Sequence, residues 1–321
     1  LGLNVTICDV DQAALDRTQQ TIYTTRYGKW DEAIKLSLVK NAPRGGFDLV
    51  VIGTPPDSHL PLALAALEEK PKAILVEKPL CPPNLEQAQK LQEIVTESGT
   101  LAFVGYDHVV GKAAQETLRA GRQLPTIETI DVEFREHWGG IFAAHPWLQG
   151  PQDSYLGSWK RGGGASGEHS HAINLWQFLS GGLGKGRITE VSATLTTESG
   201  LIGRVVQDVI TSPSRKWARI QGSDGFAELT IGHQPGVDRV EWKTSKDASQ
   251  LRTIQKTRPD DFIWELQHIE SVMTGKEKDS VLALDRGLET MLVVAAAHLS
   301  SAKKRTVRID YRKGYTAQAL E

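Results

Sequence analysis

Residues 47–59 read FDLVVIGTPPDSH, and their pattern indicates the fold class of this part of the chain. The run over residues 47–53 is apolar except for Asp48, and it predicts a strand buried on both faces because apolar and polar residues do not alternate along it. The loop Thr54-Pro55-Pro56 follows it, and the next residues predict a helix that ends near Glu69. A strand, a loop and a helix in this order form the repeating unit of a parallel sheet.

The same unit recurs downstream. Residues 73–79, AILVEKP, predict a second buried strand with a charged end. Asn84 is predicted to cap the next helix, with Gln87 in the reciprocal position of a capping box and Gly99 as the stop. Leu101–Tyr106 predicts one more short strand. This alternation predicts a doubly wound parallel sheet with crossovers of one hand.

The start of the chain predicts a strand over Asn4–Cys8 that ends at Asp9, followed by a helix over Asp11–Gln20. In a dinucleotide-binding sheet, an acid in this position binds the adenosine ribose, about 20 residues after a Gly-rich turn. The sequence begins too late to contain that turn. We therefore expect roughly 20 to 30 residues to precede Leu1 in the natural protein, including the central strand and the helix that receives the pyrophosphate.

From about Thr126 the pattern changes to alternating apolar and polar residues, which predicts an antiparallel sheet with one covered face. The predicted strands are Ile127–Arg135, Ile188–Thr197, Val205–Thr211, Trp217–Gln221 and Phe226–Ile231, with a hairpin turn at Gly222–Gly225. Helical patterns that can cover the sheet lie at Ile173–Leu179, Phe262–Met273 and Gly287–Ser301. We place the domain boundary near Asp107. We expect residues 1–107 to form an α/β domain whose first strand is missing from this sequence, and residues 108–321 to form an α+β domain with a large open antiparallel sheet.

Composition limits the classes of function. Hydrophobic residues make up 40% of the chain and charged residues 24%, which is typical of a folded globular protein. A net charge of −2 with interleaved signs gives no basic face, so neither nucleic acid nor a membrane is an expected partner. Cys8 and Cys81 cannot build a disulfide framework and lie outside metal-ligand spacings. We therefore expect a cytoplasmic protein without a metal site.

Two motifs follow consecutive parallel strands, at the edge where open α/β sheets bind ligands. These are Thr54-Pro55-Pro56 with His59, and Glu77-Lys78-Pro79. Taken together, they resemble the Gfo/Idh/MocA family, which includes glucose-fructose oxidoreductase and inositol dehydrogenase. Residues 104–108, VGYDH, resemble the family's entry into its second domain, although Val109 stands where Arg is often found.

The resemblance implies a Rossmann-type domain that binds NAD or NADP. The cofactor-binding residues it implies are Asp9, Thr54, Pro55, His59, Glu77 and Lys78. NAD is the preferred cofactor because Asp9 would repel the 2′-phosphate of NADP. The implied reaction is hydride transfer between NAD(P) and a secondary alcohol of a sugar, polyol or nucleotide sugar. Family members commonly form homodimers or homotetramers through the outer face of the second sheet.

Residues 162–171, GGGASGEHSH, resemble the family's glycine-rich turn and the helix that carries an acid and a catalytic His. Many members have Asp in place of Glu168 and three residues before the His, so the alignment leaves His169 and His171 as alternatives. If a helix begins near Glu168, then Glu168 and His171 share a face. The carboxylate would then fix the tautomer of the imidazole and raise its basicity. We therefore predict His171 as the general base, with Glu168 as its partner.

The remaining site residues complete the predicted reaction. Lys78 is expected to supply a cation for the developing alkoxide, as the resemblance implies, and it is itself an alternative base if burial lowers its pKa. The candidate substrate contacts are Tyr106, Trp159, Arg161 and His169. A flat aromatic face at Trp159 suits a sugar ring, and Arg161 is a candidate anchor for an anionic group, although most Trp side chains belong to cores.

Two other functions use the same fold. A regulator that binds the cofactor without turnover is one, and the retention of Lys78 and His171 argues against it. A glycosidase that oxidises its substrate transiently with bound NAD is the other. Net formation of NADH distinguishes a dehydrogenase from a glycosidase, which releases sugar without net change of the cofactor.

Overall fold

The computed structural model describes residues 2–143, 146–245, 248–257 and 259–321. The chain divides into two compact units, Leu1–Gly46 and Phe47–Glu321. The predicted domain boundary near Asp107 stays a prediction.

The first unit contains two parallel strands, β1 (Val5–Asp9) and β2 (Ile34–Leu38), with Val5 opposite Ile34. Helix α1 (Gln12–Arg17) follows β1 and continues through a π-helical turn (Thr18–Tyr23) into α2 (Thr24–Tyr27). Asp11 caps α1, because its side chain accepts a hydrogen bond from the Ala13 N–H. The predicted strand and helix are therefore present, with the strand displaced by one residue and the helix longer than expected.

The second unit opens with a parallel sheet in the order β3-β4-β5. Its strands are β3 (Leu49–Ile52), β4 (Ala73–Val76) and β5 (Leu101–Val104), and its helices are α3 (Pro56–Glu68) and α4 (Ala88–Ser98). All four residues of β4 are buried, as expected for a central strand without alternation. The prediction of a parallel α/β sheet is confirmed.

The start of α4 differs from the prediction. Asn84 does not cap this helix, since its side-chain oxygen accepts from the Glu86 N–H within the preceding turn. Gln87 is the residue before the helix, with a left-handed φ of 65°, so it cannot complete a capping box. The predicted stop is correct, because Gly99 ends the helix in the left-handed conformation.

A nine-stranded sheet dominates the rest of the unit, in the order β13-β12-β11-β10-β6-β9-β8-β7-β14. Its strands are β6 (Thr129–Arg135), β7 (Ile188–Val191), β8 (Leu195–Thr197), β9 (Ile202–Asp208), β10 (Arg215–Gln221), β11 (Phe226–Gln234), β12 (Val237–Lys243), β13 (Gln250–Gln255) and β14 (Val307–Arg308). β6 and β9 run parallel, so the sheet is mixed rather than purely antiparallel. The predicted strand Ile188–Thr197 is in fact the hairpin β7–β8.

Helices pack against this sheet and the parallel one. They are α5 (Lys112–Gly121), α6 (Trp138–Ala143), α7 (Gly164–Glu168), α8 (Ser170–Gly182), α9 (Asp260–Met273) and α10 (Leu284–Lys303). Trp176 of α8 is fully buried, and its Nε1–H donates to the Ile130 carbonyl of β6 over 2.8 Å. A Cβ at Gly203 of β9 would overlap both groups, so glycine is required there. Of the helices described, none combines the length and apolar character needed to cross a membrane.

Candidate active site

Lys78 lies directly after β4, at the carboxyl end of the parallel sheet. Its Nζ donates to the backbone carbonyl of Glu168 over 3.0 Å and lies 3.5 Å from the Glu168 carboxylate. Burial disfavours the ammonium, but the negative charges of Glu168, Glu77 and Asp107 outweigh burial and raise the pKa of Lys78. Lys78 is therefore a cation, and the alternative in which burial makes it the base is not supported.

Glu77 lies beside Lys78, and its carboxylate accepts from the Lys78 N–H over 3.3 Å. Burial raises the pKa of Glu77, and the charge of Lys78 opposes that effect. A Cβ at Gly105 would lie 3.0 Å from the Glu77 carboxylate, so the glycine of VGYDH gives this side chain its space. This close approach links the ends of β4 and β5.

The glycine-rich turn places Glu168 next to Lys78. Gly162 and Gly164 have φ values of 93° and 70°, which favour glycine. A Cβ at Gly167 would overlap the Gly162 carbonyl, so the turn and α7 pack without room for a side chain. Short α7 then ends at Glu168, whose backbone and side chain both face Lys78.

The predicted pairing of Glu168 with His171 is wrong. The helix does not run through these residues, because His169, with φ −100° and ψ 24°, separates α7 from α8. The carboxylate of Glu168 points to Lys78, and the carboxylate near His171 is that of Asp107, with 3.7 Å between His171 Nδ1 and Asp107 Oδ1. Asp107 follows β5, so a third strand end contributes to the site.

His171 is held in its neutral form. Burial lowers its pKa well below the usual value, and the positive charges of Lys78 and Lys216 and the neighbouring His108 and His169 add to the effect. The ring packs edge-on against Tyr106, with 5.6 Å between centroids, and 13% of its side-chain surface stays exposed. A neutral imidazole with partial access to solvent can accept a proton.

His169, the alternative to His171, is less accessible. It is 3% exposed, and its Nε2 is buried without a hydrogen-bond partner in the described part of the chain. Burial lowers its pKa as well. Its carbonyl accepts from the Gln207 side chain of β9 over 2.5 Å, which fixes the break between the two helices. Accessibility therefore favours His171 over His169 as the group that meets a substrate.

The predicted substrate contacts divide into accessible and buried residues. Trp159 is 46% exposed and stacks on His298 with 4.4 Å between ring centroids, so one aromatic face has a partner already. Arg161 donates to Asp57 of α3 over 2.6 Å, which offsets its charge. Tyr106 is 1% exposed, so it supports the His171 ring and cannot contact a substrate as predicted.

The predicted cofactor residues differ in their exposure. Thr54 and Pro55 are exposed at the end of β3. His59 is buried, and its ring nitrogens contact the Thr54 and Pro79 carbonyls at 2.5 and 3.0 Å, so it braces the loop and is closed to direct cofactor contact. In the first unit, Asp9 Oδ1 accepts from the Asp11 N–H. Its other oxygen has no donor within the described residues, so it fits a ribose hydroxyl.

Three titratable groups of this site were not assigned a role from the sequence. Asp107 and His108 follow β5, and the rule that selected Thr54 and Lys78, namely position at the carboxyl end of a parallel strand, also selects them. Glu265 of α9 is the third. It is 2% exposed, and burial together with the nearby carboxylates raises its pKa to about 9. No local sequence signal indicates that α9 brings this acid toward the site.

Comparisons with known proteins agree with this fold. A family model described as an oxidoreductase family with an NAD-binding Rossmann fold matches residues 4–106. No curated protein matches the sequence. Among solved structures, an NAD binding oxidoreductase from Klebsiella pneumoniae has a TM-score of 0.74 at 18% identity, and the match covers 95% of this chain and 89% of that one.

Two further structures show the same fold. An aldose-aldose oxidoreductase from Caulobacter crescentus, complexed with glycerol, has a TM-score of 0.71 at 17% identity, covering 95% of this chain and 90% of the other. An inositol dehydrogenase homolog from Azotobacter vinelandii, complexed with NADH and myo-inositol, has a TM-score of 0.63 at 18% identity, covering 82% and 78%. The resemblance found in the motifs is confirmed over part of the chain, because residues 4–106 match the model of the Gfo/Idh/MocA oxidoreductases, an NAD-binding Rossmann-fold family.

Proposed function

We propose that this protein oxidises a secondary alcohol of a sugar, cyclic polyol or nucleotide sugar with NAD, or catalyses the reverse reduction. The observation that carries the proposal is the combination of cationic Lys78 with neutral His171 in an NAD-binding oxidoreductase family. Oxidation of a carbinol requires a hydride acceptor, a base for the hydroxyl proton and a positive charge near the developing alkoxide. These two side chains supply the second and third requirements.

The residues of the site have separate roles in this reaction. Bound NAD supplies the hydride acceptor. His171 takes the hydroxyl proton on Nε2, because Nδ1 is the nitrogen buried against Asp107. The Asp107 carboxylate, 3.7 Å away, favours the imidazolium that forms. Lys78 stabilises the alkoxide, and Glu168 holds the ammonium in place through its carbonyl and carboxylate.

Candidate cofactor-binding residues are present in each unit, and each set is considered by itself. The free carboxylate oxygen of Asp9 would accept from the ribose hydroxyls, and its charge would disfavour the 2′-phosphate of NADP. Thr54 and Pro55 would contact the cofactor directly, because they are exposed at the end of β3. The conformation of that edge of the sheet would be fixed by the hydrogen bonds of His59 and by the one between Glu77 and the Lys78 backbone.

We further propose a homo-oligomer formed through the open face of the nine-stranded sheet. Ile202 and Val206 of β9 are 51% and 40% exposed, and their spacing places them on one face of the strand. Exposed apolar side chains on a sheet face favour association with a second copy. Light scattering on the purified protein would measure the oligomeric state, and Val206→Lys should shift it toward the monomer.

A substrate panel tests the reaction. The purified protein would be incubated with NAD and with cyclic polyols, aldoses and nucleotide sugars, and NADH would be followed by its near-ultraviolet absorbance. Substrate-dependent NADH formation supports the proposal. Release of sugar from an aryl glycoside without net NADH would identify the glycosidase instead, and tight NAD binding without either reaction would identify the regulator.

A further inference from the structure

Three potential metal ligands converge beside the proposed base. Asp107 and His108 lie in the turn after β5, and His171 lies in the first turn of α8. Asp107 Oδ1 is 3.7 Å from Nδ1 of both His108 and His171, and the three ligand atoms lie within 4.8 Å of one another. The two imidazole rings are 4.4 Å apart between centroids. Residues separated by 63 positions in the sequence thus meet at one point.

Two of these ligand atoms lack the partners that buried polar atoms need. Asp107 Oδ1 and His171 Nδ1 are buried without a hydrogen-bond partner in the part of the chain that the structure describes. A buried polar atom left unpaired costs on the order of 1–3 kcal/mol, so such atoms usually have a ligand, an ion or water as partner. Both atoms point toward the same space, and one bound ion would satisfy them together.

Charge and donor chemistry identify the class of ligand. Each lysine near the site already has a carboxylate partner: Lys78 has Glu168 at 3.5 Å, Lys216 has Glu136 at 3.0 Å, and Lys256 has Asp261 at 2.8 Å. Within the described residues, Asp107 has no lysine or arginine partner. A carboxylate and two imidazoles are donors that suit a divalent transition-metal ion.

We propose that Asp107, His108 and His171 bind a divalent transition-metal ion, with Zn²⁺ the best match. Two imidazoles and one carboxylate with an open fourth position form a zinc site of the kind found in enzymes. Ligand atoms around tetrahedral Zn²⁺ lie about 3.3 Å apart, given bonds of about 2.0–2.2 Å. The two 3.7 Å separations from Asp107 need to shorten by a few tenths of an ångström, and the two imidazole nitrogens, which lie within 4.8 Å of each other, by up to about 1.5 Å.

Metal binding and proton transfer at His171 should exclude each other. A metal on Nδ1 leaves the ring proton on Nε2, so Nε2 can no longer accept a proton from a substrate. Zn²⁺ is therefore expected to inhibit turnover. The metal site stands on geometry alone, whereas this inhibition rests on the proposed function, so the two are measured separately.

Calorimetry with ZnCl₂ on the chelator-treated full chain tests the site. We expect one equivalent to bind, and the visible absorption of Co²⁺ bound in its place should indicate a tetrahedral site. Loss of a residue that only hydrogen-bonds to a metal ligand costs about 10–100-fold in metal affinity. Asp107 and His108 are proposed as ligands themselves, so Asp107→Asn and His108→Gln should each weaken Zn²⁺ binding at least about a hundredfold. His233→Gln, at an exposed position of β11, is the matched control and should bind Zn²⁺ like the unmodified protein.

The outcomes separate the two inferences. Unchanged Zn²⁺ affinity in both site variants, with folding verified by circular dichroism, would overturn the metal site. Zn²⁺ binding that the variants abolish, in a protein without dehydrogenase activity, would support the metal site and count only against the proposed function. In an active enzyme, Zn²⁺ should lower the rate of the unmodified protein and of His233→Gln. Inhibition of the His108→Gln variant should require Zn²⁺ concentrations at least about a hundredfold higher.

Discussion

Replacing Lys78 by methionine removes the ammonium and keeps most of the aliphatic stem, so it isolates the effect of the charge. A preorganised group that stabilises developing negative charge contributes about 2.7–4 kcal/mol to the transition state. We therefore expect turnover to fall about 10²- to 10³-fold in Lys78→Met. Because the proposed role arises only as the alkoxide forms, the loss should appear in kcat, with NAD affinity largely intact.

The same substitution should also destabilise the protein. Lys78 and Glu168 have side chains only 18% and 19% exposed, so the substitution leaves a largely buried carboxylate without its cation. Breaking a fully buried ion pair lowers the free energy of unfolding by about 3–5 kcal/mol. We expect a loss of about 3 kcal/mol for this pair, because it is partly exposed. For a unit of this size, that corresponds to a decrease of about 5 °C in Tm.

Lys72→Met is the matched control, because Lys72 lies just before the same strand and pairs with Asp48 at 2.6 Å. Both of its side chains are more than two thirds exposed, so the loss should stay below about 1 kcal/mol, and turnover should not change. Steady-state kinetics, NAD titration and thermal unfolding would be measured on both variants. A Lys78→Met protein that is folded, binds NAD and keeps its kcat within tenfold would refute the role of the charge.

Three further substitutions test other parts of the site. His171→Ala should lower turnover at least about a hundredfold, and His169→Ala should lower it less. A larger loss of turnover in His169→Ala than in His171→Ala would contradict the choice of His171 as the base. Asp9→Ser should narrow the preference for NAD over NADP in binding titrations, whereas equal affinities in the unmodified protein would remove Asp9 from the ribose site. Glu265 binds a proton up to about pH 9 in the native state, but only up to its ordinary pKa of 4.5 when unfolded. Its contribution to stability is therefore present at low pH and lost as pH rises between these values, by at most about 1.4 kcal/mol per unit. Denaturant unfolding of Glu265→Gln across this range should show a flatter dependence on pH, and an unchanged slope would contradict the raised pKa.

The parallel sheet could be predicted because its strands carry the information locally. Residues 73–76 form an uninterrupted apolar run and are β4 without any change of boundary. Position at the carboxyl end of such a strand, together with the family resemblance of the Thr-Pro-Pro and Glu-Lys-Pro motifs, then selected Lys78. The same rule would have selected Asp107 and His108 after β5, but the interpretation of VGYDH as a family motif left their chemistry unused.

The partners of the site residues could not be predicted, because they depend on contacts far apart in sequence. Glu168 pairs with Lys78, 90 residues away, and the break at His169 that turns it away from His171 has no local signal. Strand β12 was not among the predicted strands, although its sequence pattern is local. Val240 and Trp242 alternate with charged residues and are buried, so the pattern of a half-covered strand was present in the sequence.

Hydride transfer itself can be followed directly with a deuterated substrate. A polyol or sugar that the protein oxidises would be labelled with deuterium at the carbinol carbon, and the reduced cofactor would be analysed by mass spectrometry and NMR. We predict that one deuterium appears at the nicotinamide C4 of NADH for each alcohol oxidised, and that Lys78→Met and His171→Ala slow this transfer. Unlabelled NADH, or loss of the deuterium to water without net reduction of NAD, would contradict the proposed reaction.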